Sequence, residues 1–413
     1  MKAGPPADKL IMNSYQNLTK PNLTSESEGL PGWTYFSPGL FGLELEVLFY
    51  SHWQFVCHVN EIKQPGEFVS YDIGTERGFV IRDSANRIHA FHNLCRHRGS
   101  RVVSGKRGQC NKVLVCPFHG WTYNLDGTLR GIARRDTFAE VDHSNLGLKR
   151  IEFEIWNGLV FIRFKPGKQA SIAEIMTRHA NEIQPYGLDH MIASPKGRIT
   201  DRIEANWKAV RDVDNEGYHV PQAHPALNDL YGKDYQDEPM KGETSRSVGR
   251  FTPGPRKHWS VRHYLNILPE NTHLPGSHRN IWLYIGIFPN LVLGFYPDCV
   301  IFYQEIPQTP TLTLQRGGIF HHRKETREMK LARYLSGRID KETSKEDSML
   351  SVWVSEATKS SAYDKVIFSG LEKGVPSYHD VLREKLPVTK LDVEPATPEL
   401  QDLNNKMLNA SFG

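Results

Sequence analysis

The chain has 413 residues, and at roughly 100–200 residues per domain that length predicts two or three domains. Its 39% hydrophobic and 24% charged residues are ordinary globular usage and exclude wholesale disorder or a collagen-like rod. A net charge of +4, from 51 Lys+Arg against 47 Asp+Glu, is too weak to argue for a nucleic-acid surface. No run approaches the ~20 apolar residues that span a bilayer. Met1–Ser25 is polar, carries prolines and has no apolar run, so it does not read as a signal peptide. The five cysteines (Cys57, Cys95, Cys110, Cys116 and Cys299) are an odd, sparse set. That is no disulfide framework, and a reducing, cytoplasmic setting is the expectation.

In chain order, residues 1–40 read as an arm with little order of its own. A short helix is favoured over 40–50. Short β-branched and aromatic runs follow at 55–59, 67–73, 78–83 and 89–94, split by turn residues, and predict an antiparallel β domain. A hairpin fits 113–123 with a turn at 124–127, and two strands flank Asn157-Gly158, a strong hairpin signal. Residues 171–187 predict an amphipathic helix capped by Ser171, and 206–219 again show helical spacing. Strands are expected from Trp282 to Ile306 and just beyond. Helices are expected over 324–335 and 347–371.

Cys95-Arg96-His97 is followed by Cys116-Pro117-Phe118-His119. Each short loop offers one sulfur and one nitrogen, whereas two-Cys, two-His zinc fingers pair Cys with Cys and His with His. A Rieske [2Fe–2S] centre needs two thiolates on one iron and two imidazoles on the other, and two neighbouring hairpin tips supply that set. A zinc site is the alternative that these residue types leave open. Cys57 and Cys110 lie outside the motif and read as small core residues. The second constellation is NWKAVRDVDNEGYHVPQAHP at 206–225. On a helix, Asp212, Glu216 and His219 fall at i, i+4 and i+7 and share one face. Pro221 interrupts the helix, so that His224 can swing back toward the same point.

HNLCRHRGSRV…VLVCPFHGWTYNLDGTL resembles the Rieske domain of Rieske non-haem iron oxygenases, from about Trp53 to Phe164, and the later motifs carry the resemblance through most of the chain. The resemblance implies an α+β protein: an arm over 1–40, an all-β Rieske [2Fe–2S] domain over 41–165, and a catalytic domain over 166–413 with a curved antiparallel sheet of helix-grip type. It implies Cys95, His97, Cys116 and His119 on the cluster. It implies His219 and His224 with a downstream carboxylate on a mononuclear ferrous ion. Asp347, in Lys345-Glu346-Asp347, fits that carboxylate, with Glu346, Asp298 and Glu305 as rivals. Asp212 is expected close to the iron.

Glu216 stands where the family commonly has Asp. In the resemblance, Glu here points to oxygenases of quaternary ammonium compounds such as carnitine, glycine betaine and stachydrine. Its implied role is to link His219 to His119 or His97 of a neighbouring subunit in a homotrimer. The implied reaction uses O2 and electrons from NAD(P)H through a separate flavin/iron–sulfur reductase, since no G-x-G-x-x-G fingerprint occurs here. A carbon next to nitrogen is hydroxylated, and the carbinolamine collapses to formaldehyde and the demethylated amine. Trp259, Trp282 and Tyr284 are candidate cage residues for the cationic head. His258, His263, His321 and His322 read as surface or core histidines. Hydroxylation of an aromatic ring is the alternative reaction. A pure electron carrier would leave the second motif unexplained, and a zinc-stapled binding module would be colourless.

Overall fold

The computed structural model describes residues 28–138, 142, 145–270, 273–363, 366–396 and 399–410. The N-terminal part is built from β1 (Gln54–His58), β2 (Glu67–Ile73), β3 (Glu76–Arg82), β4 (Ile88–His92), β5 (Arg107–Gln109), β6 (Val113–Val115), β7 (Thr122–Asn124), β8 (Leu129–Gly131), β9 (Glu152–Trp156) and β10 (Leu159–Arg163). They pair antiparallel in the orders β4-β3-β2-β5, β6-β7-β8 and β1-β10-β9. Asn157 and Gly158 both have positive φ, 45° and 79°. That is the conformation a two-residue hairpin between right-twisted strands requires, and Trp156 faces Leu159 across it.

The second part carries β11 (Ile192–Ala193), β12 (Ile199–Ile203), β13 (Tyr235–Lys241), β14 (Thr244–Arg250), β15 (Ile281–Ile287), β16 (Leu291–Phe295), β17 (Val300–Thr309) and β18 (Leu312–His321). They form one antiparallel sheet in the order β11-β18-β17-β16-β15-β14-β13, with β12 also paired to β18. Strand alternation decides what each face of β15 does. Leu283, Ile285 and Ile287 pack with Phe55 and Phe161 of the N-terminal strands. Trp282 and Tyr284, on the other face, pack with Val220, Leu227, Tyr231 and Ile339. Thus the sheet leans one side on the first domain and turns the other toward the helices that carry the second motif.

The helices are α1 (Pro38–Glu44), α2 (Trp207–Asp214), α3 (Val220–Ala223), α4 (Pro225–Leu230), α5 (Trp259–Ile267), α6 (Arg327–Ala357), α7 (Gly374–Lys385) and α8 (Leu400–Ala410), and the second motif lies on α2, α3 and the start of α4. Among the described residues, no helix is long and apolar enough to cross a membrane.

Four expectations are corrected. The arm over 1–40 lies outside the described residues up to 27, but Leu30, Trp33, Tyr35 and Leu40 are buried in the largest core cluster, beside Trp207 and Tyr378. Their large apolar area outweighs the local Pro-Gly composition. The helix over 171–187 is broken into short turns at Ile172–Ile175, Thr177–His179, Ala180–Ile183 and Gln184–Tyr186. The two late helices are one, α6, which runs through 336–346 because Gly337 alone is a weak breaker and Ile339 is buried beneath it, and it stops at Ala357, so the described residues of 358–371 are not helical. The helix over 206–219 stops at Asp214.

Candidate functional site

The end of α2 explains the site. Asn215 closes the helix: its N–H donates to Arg211 O, and its Oδ1 accepts from Arg211 Nη2 at 2.6 Å. Gly217 comes next, its N–H bonded to Asp237 Oδ2 at 2.9 Å. A Cβ there would lie 1.8 Å from the Tyr235 ring, so only glycine fits. Glu216 is thereby turned out of the helix. Its carboxylate accepts from the N–H groups of Tyr218 and His219 and from His219 Nδ1. Asp212 stays on the helix, and its oxygens accept from Tyr35 Oη at 2.6 Å and His379 Nε2 at 2.8 Å. The shared face of Asp212, Glu216 and His219 therefore does not form. Asp212 ties α2 to the N-terminal segment and α7 instead of lining the site.

His219 precedes α3, and His224 follows it with a non-helical backbone. The kink brings the two Nε2 atoms to 2.9 Å. From α6, Asp347 Oδ1 lies 2.8 Å from His224 Nε2 and 3.6 Å from His219 Nε2. The other nitrogen of each ring is held by a carboxylate: His219 Nδ1 by Glu216 and His224 Nδ1 by Glu346 at 2.7 Å. Donation from Nδ1 leaves the Nε2 lone pairs facing one another, and Asp347 Oδ1 is buried without a hydrogen-bond partner. Two imidazoles and one carboxylate with free lone pairs converging suit a divalent metal of the iron type. Burial disfavours charge on His219, but Asp347 and Glu216 outweigh it and push its pKa up to about 10 without a metal.

Of the rivals to Asp347, Glu346 faces the far side of the His224 ring. Asp298 is buried among Tyr264, Ser336 and Cys299, and Glu305 sits beside Arg211 and Gln315.

A cavity of about 110 Å3 opens beside these ligands. Its wall includes Tyr231, Tyr235, Tyr284, Tyr296 and Tyr303, with Asp214 and Asp340, and among the described residues no Lys or Arg lines it. Of the three expected cage residues, only Tyr284 reaches it. Trp282 is fully buried behind Tyr296, stacked at 3.9 Å. Trp259 is 51% exposed on α5, under the Arg338 guanidinium. Tyr231, Tyr235, Asp214 and Asp340 were not expected; their spacing carries no signal, because four separate elements deliver them. A larger cavity, about 390 Å3, lies between β2 and β18 and carries Arg77, Lys106, Arg107, Arg198 and Arg316.

The first constellation gathers at the tips beyond β4 and β6. Cys95 and Cys116 are within hydrogen-bond reach of each other, and the His97 and His119 rings lie 4.6 Å apart. Sulfurs thus meet on one side and imidazoles on the other, the arrangement two unlike irons require. Trp121 stacks on His97 at 5.2 Å, and Tyr123 Oη touches Cys95 Sγ at 3.2 Å. Burial disfavours the Cys116 thiolate, yet the N–H of Phe118, the Cys95 thiol and the N–H of His119 outweigh it and lower its pKa. Cys57 is fully buried, and Cys110 is half-buried. His119 is exposed.

Two family descriptions match: "Rieske [2Fe-2S] domain" over residues 52–142 and "Ring hydroxylating alpha subunit (catalytic domain)" over 179–387. The chain is 36% identical over 220 residues to the glycine betaine monooxygenase oxygenase subunit of Chromohalobacter salexigens, covering 53% of this chain and 48% of that protein. It is 30% identical over 204 residues to the chloroplastic choline monooxygenase of Beta vulgaris, covering 47% and 44%. It is 29% identical over 230 residues to the carnitine monooxygenase oxygenase subunit of Escherichia coli, covering 55% and 60%. The matched stretch thus spans about half the length of these relatives. Among solved structures, the quaternary ammonium Rieske monooxygenase CntA with L-carnitine shares the fold at a TM-score of 0.71 and 22% identity, over 87% of this chain and 95% of that one. Naphthalene 1,2-dioxygenase from Rhodococcus shares it at 0.72 and 19%, over 88% and 95%. The cofactors that go with these domains are a Rieske [2Fe–2S] cluster and a mononuclear iron. With the catalytic-domain description matching just over half of the chain and the Rieske domain ahead of it, the chain belongs to the ring-hydroxylating alpha subunit family of Rieske oxygenases.

Proposed function

We propose that this protein is the oxygenase component of a Rieske monooxygenase that N-demethylates a quaternary ammonium compound, stachydrine or a similar betaine. One observation carries the reading: the cavity beside His219, His224 and Asp347 is small, walled by five tyrosines and, among the described residues, free of Lys and Arg. Tyrosine faces attract a cation by ~0.5–2 kcal/mol per ring, and a carboxyl in the same wall adds attraction. The larger cavity carries five basic side chains against two acids, Glu61 and Asp72, and suits a cation less well. The names of the relatives, monooxygenases of glycine betaine, choline and carnitine, support the same substrate class.

In this reading Cys95, His97, Cys116 and His119 hold the cluster, and His219, His224 and Asp347 hold the ferrous ion. When bound, the cluster supplies single electrons and the iron activates O2. The tyrosines hold the ammonium head so that one N-methyl group faces the two histidines. Glu216 and Glu346 fix the imidazole rings through their Nδ1–H bonds. Net, one methyl is hydroxylated and its C–N bond breaks to give formaldehyde and the demethylated amine. The second oxygen atom leaves as water, with two electrons and two protons consumed. The electrons come from NAD(P)H through a separate flavin/iron–sulfur reductase.

Within the chain, Glu216 bonds only Tyr218 and His219 among the described residues, while His119 is exposed. This supports a homotrimer in which His119 of one subunit approaches Glu216 of the next. Unpaired cysteines support a reducing, cytoplasmic setting. The test is a panel of stachydrine, glycine betaine, carnitine and choline, with naphthalene as control, scored for substrate-dependent O2 uptake and formaldehyde with a reductase. Uptake with naphthalene alone overturns the reading in favour of ring hydroxylation.

A further inference from the structure

Asp340 lies on α6 two turns before Asp347, on the same face, and its open side looks into the cavity. Its Oδ1 accepts from Tyr296 Oη at 2.9 Å, and Tyr296 Oη in turn lies 3.2 Å from Tyr284 Oη. The groups nearest it are Tyr284 on β15, Tyr296 and Asp298 in the β16–β17 connection, Tyr231 after α4, and Asp347 across the cavity on its own helix. Asp214, Glu216, Tyr235, Tyr303 and the metal-site histidines His219 and His224 complete the titratable wall, and among the described residues no Lys or Arg lines it. A half-buried carboxylate beside a second acid, with no Lys or Arg partner among the described residues, is costly in its charged form. The Tyr296 hydroxyl alone does not offset that cost.

We propose that Asp340 is the counter-ion of the substrate: protonated in the empty cavity, it gives up its proton as a quaternary ammonium head enters and then pairs with it as a carboxylate. The inference rests on the quaternary ammonium reading above. It adds that specificity for a cation is set by an acid that becomes charged only when the cation is present. The Oδ–H bond breaks, the proton leaves to solvent, and no redox change occurs. Burial, with the Asp298 charge adding to it, raises the Asp340 carboxyl to about 8 even against the Tyr296 hydrogen bond. Without substrate or metal the acid is then mostly protonated at pH 7. Because binding releases a proton, affinity rises with pH below about 8 and is level above it.

The experiment is calorimetric titration of the cluster- and iron-loaded protein with tetramethylammonium and with glycine betaine. It is run at pH 7 in two buffers of different ionisation enthalpy and repeated across pH 6–9. The expected result is net proton release on cation binding at pH 7, with affinity rising by at most tenfold per pH unit below about 8. In Asp340→Asn the release should vanish, the pH profile should flatten, and the cation should bind at least about tenfold more weakly at pH 8.5. The visible spectrum of the cluster reports that the variant is folded, and the wild-type proton count is a test that needs no variant. Binding with no proton release, or an Asp340→Asn variant that matches the parent at every pH, overturns the role of Asp340 and leaves the substrate class standing. If neither cation binds the parent protein, the quaternary ammonium reading itself fails.

Discussion

His219 Nε2 and His224 Nε2 face each other at 2.9 Å with Asp347 Oδ1 beside them. Two ring nitrogens at that distance cannot both carry hydrogen, and each ring's other nitrogen is already committed to a carboxylate. Asp347→Ala should therefore lose the mononuclear iron and turnover but keep the cluster spectrum. Glu346→Gln should keep iron and weaken its affinity by about 10–100-fold. Iron analysis alongside the visible spectrum separates the two; loss of all iron in the Gln variant with retention in the Ala variant would reverse their roles.

Cys116 lies in the tip after β6, against Cys95 and beneath the N–H groups of Phe118 and His119. Cys116→Ala should abolish the reddish colour and the reduced Rieske electron paramagnetic resonance signal. The His219–His224–Asp347 site should still take up one ferrous ion, because no residue is shared between the two sites. A colourless parent protein with zinc and full activity would sink the assignment.

In the proposed ligand set of His219, His224 and Asp347, Glu216 is not needed as a metal ligand. Glu216→Gln keeps the shape but removes the charge that strengthens bonds to metal-held imidazoles. Both metal sites should stay loaded, and the reductase should reduce the cluster normally. Reoxidation of the prereduced cluster in a single turnover with substrate and O2 should slow by orders of magnitude. Reoxidation at the parent rate would remove Glu216 from the electron path.

Gly217 has no room for a side chain, since its Cβ would meet the Tyr235 ring at 1.8 Å. Gly217→Ala should cost about 1–3 kcal/mol, as overpacking does, measured by denaturant midpoint. It should also weaken substrate binding, because Tyr235 is part of the cavity wall. Unchanged stability with unchanged binding would show that the ring moves freely.

Asp83 offers a test of pH dependence away from the metals. Burial works against its charge, but His89 at 2.8 Å, the Arg87 N–H and guanidinium and the Ala85 N–H outweigh it and bring its pKa to about 2. A folded pKa below the unfolded one stabilises the protein above pH ~4. That stabilisation is lost as pH falls from ~4 toward 2. It amounts to about 2 kcal/mol. Asp83→Asn should lower stability at pH 7 and flatten its decline below pH 4, read by thermal melting across that range.

Much of the chemistry was legible because its spacing is local. Cys95 with His97, Cys116 with His119, and Glu216 with His219 and His224 each lie within a few residues, so short loops bring their atoms together whatever the rest of the chain does. The strands around Asn157-Gly158 were legible for the same reason, since a pair that accepts positive φ is written in two residues. Spacing misled where distant contacts override local preference. The helical pattern of 206–219 ends at Asp214, because Gly217 must lie against Tyr235 from another strand. The segment 28–40, read as part of an arm with little order, is buried because Trp33 and Tyr35 find a core made mainly by later residues. Trp259 looked like a cage residue but lies outside, while Trp282 is one stacked layer behind Tyr296.

By itself, then, the sequence determined which residue types could hold two metal centres, since ligand chemistry is set by side-chain identity and short-range spacing. Only the tertiary structure decided that Asp347 and not Glu346 faces both Nε2 atoms. It alone decided that Tyr231, Tyr235, Tyr284, Tyr296, Tyr303 and Asp340 share one cavity. These depend on how α6 lies across the sheet, and that is settled by burial of Leu335 and Ile339 against Trp282 and Tyr296, a packing no local pattern encodes.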